Sequence, residues 1–353
     1  MMTNKLKNLF FLGLIIFSLT SCQNTNLKDM DNLETVSLSP MPVAEKTESS
    51  KGLFDFMSGL FGNSPYNDST DNCWHHLTGA PVFILAMGAN TGQLKETAHD
   101  AENFAKAMQG LFQVDKSQVC LLRDVSKPEF RRALRRLKNL VKADDLVIIY
   151  YSGHGYRWYD DNNEEKDGLD EFFVTYSKSK KIDENGIEGF MIRDDEFSKL
   201  VAAIDTHHIL TVTDVCFSEG LDKGKGATER IKALKGRRLK KRRKVPSYIG
   251  ATLDPIRGIL LSAAKEDQPA IELAGQCDKT GDYEGIMGGR FTVFFLRALE
   301  RAQRKSVKVN LLKVFDETSK SVLKHSRRCS EKAQQPVRKG KNKLFRRINR
   351  YIK

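Results

Sequence analysis

Two side chains able to do nucleophilic chemistry stand in matching surroundings. His154 lies in Ser152-Gly153-His154-Gly155, directly after the apolar run DLVIIYY at 145–151. Cys216 lies in Asp214-Val215-Cys216-Phe217-Ser218, directly after the run HILTVTD at 208–214. A thiol beside an imidazole forms a nucleophile with its own base. Taken singly, neither residue says much: a buried cysteine is usually structural, and a histidine in a loop is usually solvated. The weight comes from finding both just past the ends of apolar runs. Glycines flank His154, allowing close approach of a substrate and leaving backbone N–H groups able to face an oxyanion.

The elements that must position this pair follow from periodicity. Continuous apolar runs at 81–89, 118–123, 145–151, 208–214 and 258–263 read as buried strands. Between them, apolar residues recur at helical spacing: Leu94, Ala98, Ala101, Phe104, Ala105, Met108 and Leu111, then Phe130, Leu134, Leu137 and Val141 after Pro128. Residues 194–204 read as a helix opened by an acidic pair, 172–176 as a strand or hairpin arm, and 289–302 and 309–325 as two further helices. Strands alternating with helices predict an α/β fold with a mostly parallel sheet covered on both faces. Reactive groups then gather beyond the carboxyl ends of the strands.

YYSGHG at 150–155 followed by TDVCFS at 213–218 resembles the His and Cys motifs of metacaspases and other caspase-fold peptidases. HDAENFAKAM at 99–108, DGLDE at 167–171, RDDEF at 193–197, SAAKEDQPAIE at 262–272, GGRFTVFFLRAL at 288–299 and QQPV at 334–337 resemble further segments of that family, in order. The resemblance implies a three-layer α/β/α sandwich around a mostly parallel six-stranded sheet. It also implies a dyad in which Cys216 attacks a peptide carbonyl, His154 moves the proton, and the N–H groups of Gly155 and Cys216 hold the oxyanion. Asp100 and Asp214 match positions that line the pocket for the residue before the cut, where a carboxylate selects Lys or Arg. The plainer reading makes Asp100 a helix cap and Asp214 a backbone partner at a strand end. Asp170, Asp194, Asp195 and Asp222 resemble the family's calcium carboxylates, a set of hard oxygens suited to Ca²⁺. Phe217-Ser218-Glu219-Gly220 departs from the His-Ser-Gly usual in the family after the cysteine.

Charge and cysteine usage bound the remaining functions. Formal net charge is +13, but residues 223–244 and 324–353 each hold twelve Lys/Arg against one Glu, which leaves a mildly acidic body. The basic pI is therefore not a nucleic-acid footprint of the whole molecule, and nucleic acid is not an expected partner. The six cysteines show no zinc-type spacing and are too few for a disulfide scaffold. Residues 1–21 have Lys5 and Lys7 before an apolar stretch too short to span a bilayer, ending in Leu19-Thr20-Ser21-Cys22. This resembles a bacterial lipobox and implies a signal peptide with lipid attachment at Cys22, in a bacterial cell envelope. Residues 22–78 read as a tether, with a short amphipathic patch at 53–61 and a His75-His76 pair. The peptidase domain is expected at 79–338, with a basic loop at 223–247 that an enzyme cutting after Lys or Arg could process itself. Residues 339–353 read as a basic tail whose Leu344, Phe345, Ile348 and Ile352 could lie on a membrane. Two rival functions remain: a caspase-fold scaffold that binds without cutting, and a tethered polyanion binder.

Overall fold

The computed structural model describes residues 73–74, 77, 80–159, 169–177, 187–216, 229–231, 258–265, 268–274, 286–305, 308–329 and 333–353. Three seven-residue strands run side by side at the centre: β1 (Val82–Gly88), β3 (Leu146–Ser152) and β7 (His208–Asp214). With β2 (Val119–Leu122), β9 (Ile259–Ser262) and β12 (Val337–Lys339) they form a six-stranded sheet in the order β12-β9-β7-β3-β1-β2. All its pairings are parallel except that of β12 with β9.

Strand alternation divides the core between two helical layers. Ile84, Ala86, Ile148, Tyr150, Leu210 and Val212 pack with Phe104 and Met108 of α1 (Thr97–Phe112), Phe291 and Phe295 of α4 (Arg290–Arg304), and Val314 of α5 (Leu311–Cys329). On the other face, Leu85, Met87, Val147, Ile149 and Tyr151 pack with Phe130 and Leu134 of α2 (Lys127–Leu140) and Phe197 of α3 (Asp194–Ala202). Burial of each large apolar side chain contributes about 1.5–3 kcal/mol. The start of α2 is fixed by a capping box, in which the Ser126 N–H donates to Glu129 at 2.9 Å, with Pro128 in the first turn. The expected three-layer α/β/α sandwich is the fold observed.

Two small antiparallel sheets extend from this frame. One joins β4 (His154–Tyr159), β5 (Leu169–Val174) and β6 (Met191–Arg193), and the other β8 (Glu229–Ile231), β10 (Ile271–Ala274) and β11 (Met287–Gly289). The expected arm at 172–176 thus belongs to the middle strand of the first.

Residues outside the expected 79–338 span also pack against this frame. Cys73, assigned to the tether, is disulfide-bonded to Cys120 of β2, and Trp74 is buried, with its indole N–H donating to the Gln118 carbonyl at 3.0 Å. Cys329 is disulfide-bonded as well, so oxidised cysteines have a larger part here than their number implied. At the other end, α6 (Asn342–Ile348) follows β12, and Phe345, Ile348 and Ile352 are buried in the same core as Phe291 and Val314. The amphipathic spacing was real, but its apolar face is spent on the protein's own core and is not available to lie in a membrane. Among the described residues no helix is long and apolar enough to cross a membrane. Cys22, the 53–61 patch and the His75-His76 pair fall outside the described residues.

Candidate active site

The pairing of β3 with β7 decides where the two reactive groups go. Ser152 is opposite Asp214 in a parallel register, so both chains leave the sheet at the same level and on neighbouring strands. His154 and Cys216 each follow two residues after this pair, at the carboxyl end of the sheet. The Gly153 N–H still donates to the Asp214 carbonyl at 3.4 Å, which holds the two exits together past the last ladder pair. A Cβ on Gly153 would run into the Tyr151 hydroxyl and ring. Glycine is needed there for the close approach of that tyrosine, whose hydroxyl is anchored on the Val174 carbonyl at 2.6 Å. Gly155, the expected oxyanion donor, lies in β4 opposite Phe173.

His154 is fully buried and Cys216 is 1 % exposed. Cys216 is in no disulfide, and its thiol donates to the Gln268 carbonyl at 3.4 Å. Gln268 is itself held, its side-chain carbonyl accepting from the Gln335 N–H at 2.7 Å. The nucleophile candidate is therefore a reduced, covered thiol in a protein whose Cys73, Cys120 and Cys329 are oxidised.

Asp100 and Asp214 are brought to this same end of the sheet, buried at 3 % and 0 % exposure. Both meet the N-terminus of α4. Asp100 accepts from the Gly289 N–H with both oxygens at 2.9 Å and from the Ser152 hydroxyl at 3.1 Å. Asp214 accepts from the Thr292 N–H at 3.2 Å and its hydroxyl at 2.7 Å. The positive end of the helix favours two neighbouring carboxylates where burial would otherwise oppose them. Gly288 is required here, since its φ is +117° and a Cβ would come within 2.6 Å of Asp100 Oδ1. Because the Thr292 hydroxyl proton goes to Asp214, the Tyr150 hydroxyl, 2.6 Å from Thr292 Oγ1, must be the donor in that contact. Burial, and then the charges of Asp100 and Asp214, push the Tyr150 phenol well above its usual range, so this relay stays protonated. The cap and strand-end roles weighed for these aspartates are thus filled, at the very place where a pocket carboxylate would also stand.

The other acidic residues gather elsewhere, where β5 and β6 meet α3. Asp170 is buried and 3.4 Å from Arg193. Asp194 is buried and accepts from the Asp195 N–H at 2.9 Å, while Asp195 faces Lys199 at 3.7 Å. Hard oxygens are present, but with cationic side chains already beside two of them. Among the described residues no group of three or more His, Cys, Asp or Glu is placed to hold a metal ion. Asp222 lies outside the described residues, so the expected calcium set is seen only in part.

Residues 82–343 match the family model of the caspase domain. The chain belongs to the caspase-domain family. It is 28 % identical over 146 residues to metacaspase III c of Phaeodactylum tricornutum, covering 39 % of this chain and 41 % of that one. It is 24 % identical over 168 residues to metacaspase-1 of Meyerozyma guilliermondii, covering 44 % of this chain and 41 % of that one. The chain thus spans about two fifths of the length of the curated relatives it matches. Among solved structures, caspase-1 of Spodoptera frugiperda aligns with a TM-score of 0.42 at 11 % identity, over 79 % of this chain and 91 % of that one. A protein from Geobacter sulfurreducens aligns at 0.47 and 17 %, over 74 % and 94 %.

Sequence reasoning missed several parts of this caspase domain. Gln268 reaches Cys216 through a backbone carbonyl, which leaves no side-chain signal. Thr292 and Tyr150 join the aspartates only because α4 docks on β3 and β7. Glu272, fully buried, accepts from the Lys95 N–H at 3.1 and 3.2 Å and the Glu96 N–H at 2.9 Å. It thereby ties β10 to the start of α1, which carries Asp100.

Proposed function

We propose that this chain is a cysteine endopeptidase that cuts after Arg or Lys. The observation that supports the reading is the Ser152–Asp214 register, from which the segments bearing His154 and Cys216 leave neighbouring strands at the carboxyl end of the sheet. His154 takes the proton of the Cys216 thiol, and the thiolate attacks the scissile carbonyl. The N–H groups of Gly155 and Cys216 receive the developing oxyanion. The imidazolium then protonates the leaving amine, giving a thioester on Cys216. Water, losing its proton to His154, hydrolyses the thioester and restores the thiol. Asp100 and Asp214 supply negative charge for a guanidinium or ammonium group of the substrate.

In this reading the contact between the Cys216 thiol and the Gln268 carbonyl breaks when the sulfur attacks. Calcium is a natural trigger in this reading, held by Asp170, Asp194, Asp195 and Asp222 in place of the cationic side chains that now stand beside Asp170 and Asp195. The basic loop at 223–247 is a self-substrate. The oxidised cysteines suit an oxidising compartment, which supports export; the lipid anchor at Cys22 in a bacterial envelope belongs to the same proposal and rests on the sequence alone.

The test is hydrolysis of fluorogenic peptides ending in Arg, Lys, Asp or Leu, with calcium or with chelator, by the parent and by Cys216→Ala. Turnover confined to Arg and Lys and absent from the variant is expected. Failure of every peptide under both conditions would favour the scaffold reading. Fragments from the basic loop should appear in the parent only.

A further inference from the structure

A second site lies at the opposite end of the same strands. Asp144, His208, Arg347, Arg350 and Tyr351 line a surface cavity of about 420 Å³. Asp144 precedes β3 and His208 opens β7, so the cavity sits at the amino end of the sheet. Seven-residue strands at about 3.3 Å per residue put it roughly 20 Å from Cys216.

We propose that this cavity binds a phosphate group, as inorganic phosphate or as the head group of an anionic lipid. The proposal is independent of the protease reading. Its frame is rigid. Phe345, Ile348 and Ile352 anchor the C-terminal turn in the core, and Asn349 accepts from the Leu311 N–H at 3.2 Å. Arg347 and Arg350, three residues apart, are held on the exposed side of that turn. Among the described residues neither guanidinium has an acidic partner, whereas Arg123, Arg131, Arg157 and Arg301 each have one. Two planar forks of N–H donors match the oxygens of a phosphate.

The remaining wall is ordered by hydrogen bonds. The Tyr351 hydroxyl donates to the Asp144 carbonyl and is 2.8 Å from His208 Nδ1. A phenol has one proton, so Nδ1 carries its own and donates it to the tyrosine oxygen. The two rings stand edge to face, with centroids 5.7 Å apart. Among the described lining residues Asp144 is the acidic one, and the neighbouring Asp145 also acts on Tyr351. Asp144 is exposed, and two arginines outweigh it. Lys341, Lys343, Arg346 and Lys353, all exposed, extend the positive surface along the same C-terminal stretch. This face replaces the insertion of an amphipathic tail, which the buried Phe345 and Ile348 exclude, with recognition of anions at the surface.

The experiment uses the full chain carrying Cys22→Ser, which cannot be acylated. Inorganic phosphate and pyrophosphate are titrated by calorimetry, and vesicles of phosphatidylcholine with or without phosphatidylglycerol are co-sedimented. Each arginine contributes charge-assisted bonds, so Arg347→Ala and Arg350→Ala are each expected to weaken binding roughly tenfold. Asp144→Asn should tighten it. If an alanine variant fails to fold, Arg347→Lys and Arg350→Lys, which keep charge and lose the fork, should still weaken binding measurably. Binding of free phosphate identifies a soluble ligand, and binding only of phosphatidylglycerol vesicles identifies a lipid. Either supports the site provided the arginine variants weaken it. Binding of neither, or binding indifferent to both arginines, overturns the proposal.

Discussion

The two ends of β3 and β7 make opposite use of charge. At the carboxyl end, His154, Cys216, Asp100 and Asp214 are at most 3 % exposed, and each aspartate is held by backbone and hydroxyl donors from α4 and β3. At the amino end, Arg347, Arg350 and Asp144 are exposed around an open cavity. Buried charges interact strongly because little water screens them, but they need fixed partners to exist at all. Exposed charges cost little to maintain and remain available to diffusing ions, at the expense of strength and salt sensitivity. The lesson is that one pair of strands can hold buried, partnered charge at one end and exposed charge at the other, because the sheet keeps the two environments apart.

The sharpest way to break this contrast is Cys216→Ala. Peptide hydrolysis should fall by roughly a thousandfold or more, as expected for loss of a nucleophile, while thermal unfolding stays close to the parent. The frame at the sheet's edge is tested next. Cys73→Ser opens a disulfide spanning a sequence separation of 47 residues, which chain entropy values at about 4 kcal/mol. Urea denaturation of the variant should show a loss of that order, and a reducing agent, which also opens the disulfide at Cys329, should cost the parent at least as much. Ile348→Ala removes core packing beneath the amino-end cavity and should lower unfolding free energy by about 2–4 kcal/mol. An unchanged midpoint would mean that the C-terminal turn is not docked. Asp214→Asn sharpens the comparison most finely. The amide can still accept from Thr292, so the fold should hold. The preference for Arg over Leu before the cut, measured as a ratio of kcat/KM, should shrink about tenfold to a hundredfold.

Much of this was legible in the sequence for a physical reason. A strand buried on both faces must be apolar throughout, so the runs ending at Tyr151 and Asp214 announced themselves, together with the His and Cys they deliver. Asp100 and Asp214 came from family resemblance, but their anchoring on α4 did not, because helix docking joins residues 78 or more positions apart. The amphipathic spacing of Leu344, Phe345, Ile348 and Ile352 marks an apolar face, of which Phe345 and Ile348 lie on α6 and Ile352 follows the helical turn. What that face meets depends on tertiary structure, and here the core claimed it. The Cys73–Cys120 bond was unreadable for the same reason, since spacing alone does not specify pairing. The carbonyl of Gln268 offers no sequence signal at all.

The most direct test of the central claim is covalent capture. The parent chain is incubated with an arginyl acyloxymethyl ketone, and the labelled residue is mapped by mass spectrometry. A single adduct on the sulfur of Cys216, formed far more slowly in His154→Ala, is the predicted result. Labelling at another site, or equal labelling without the imidazole, would contradict the pairing of His154 with Cys216.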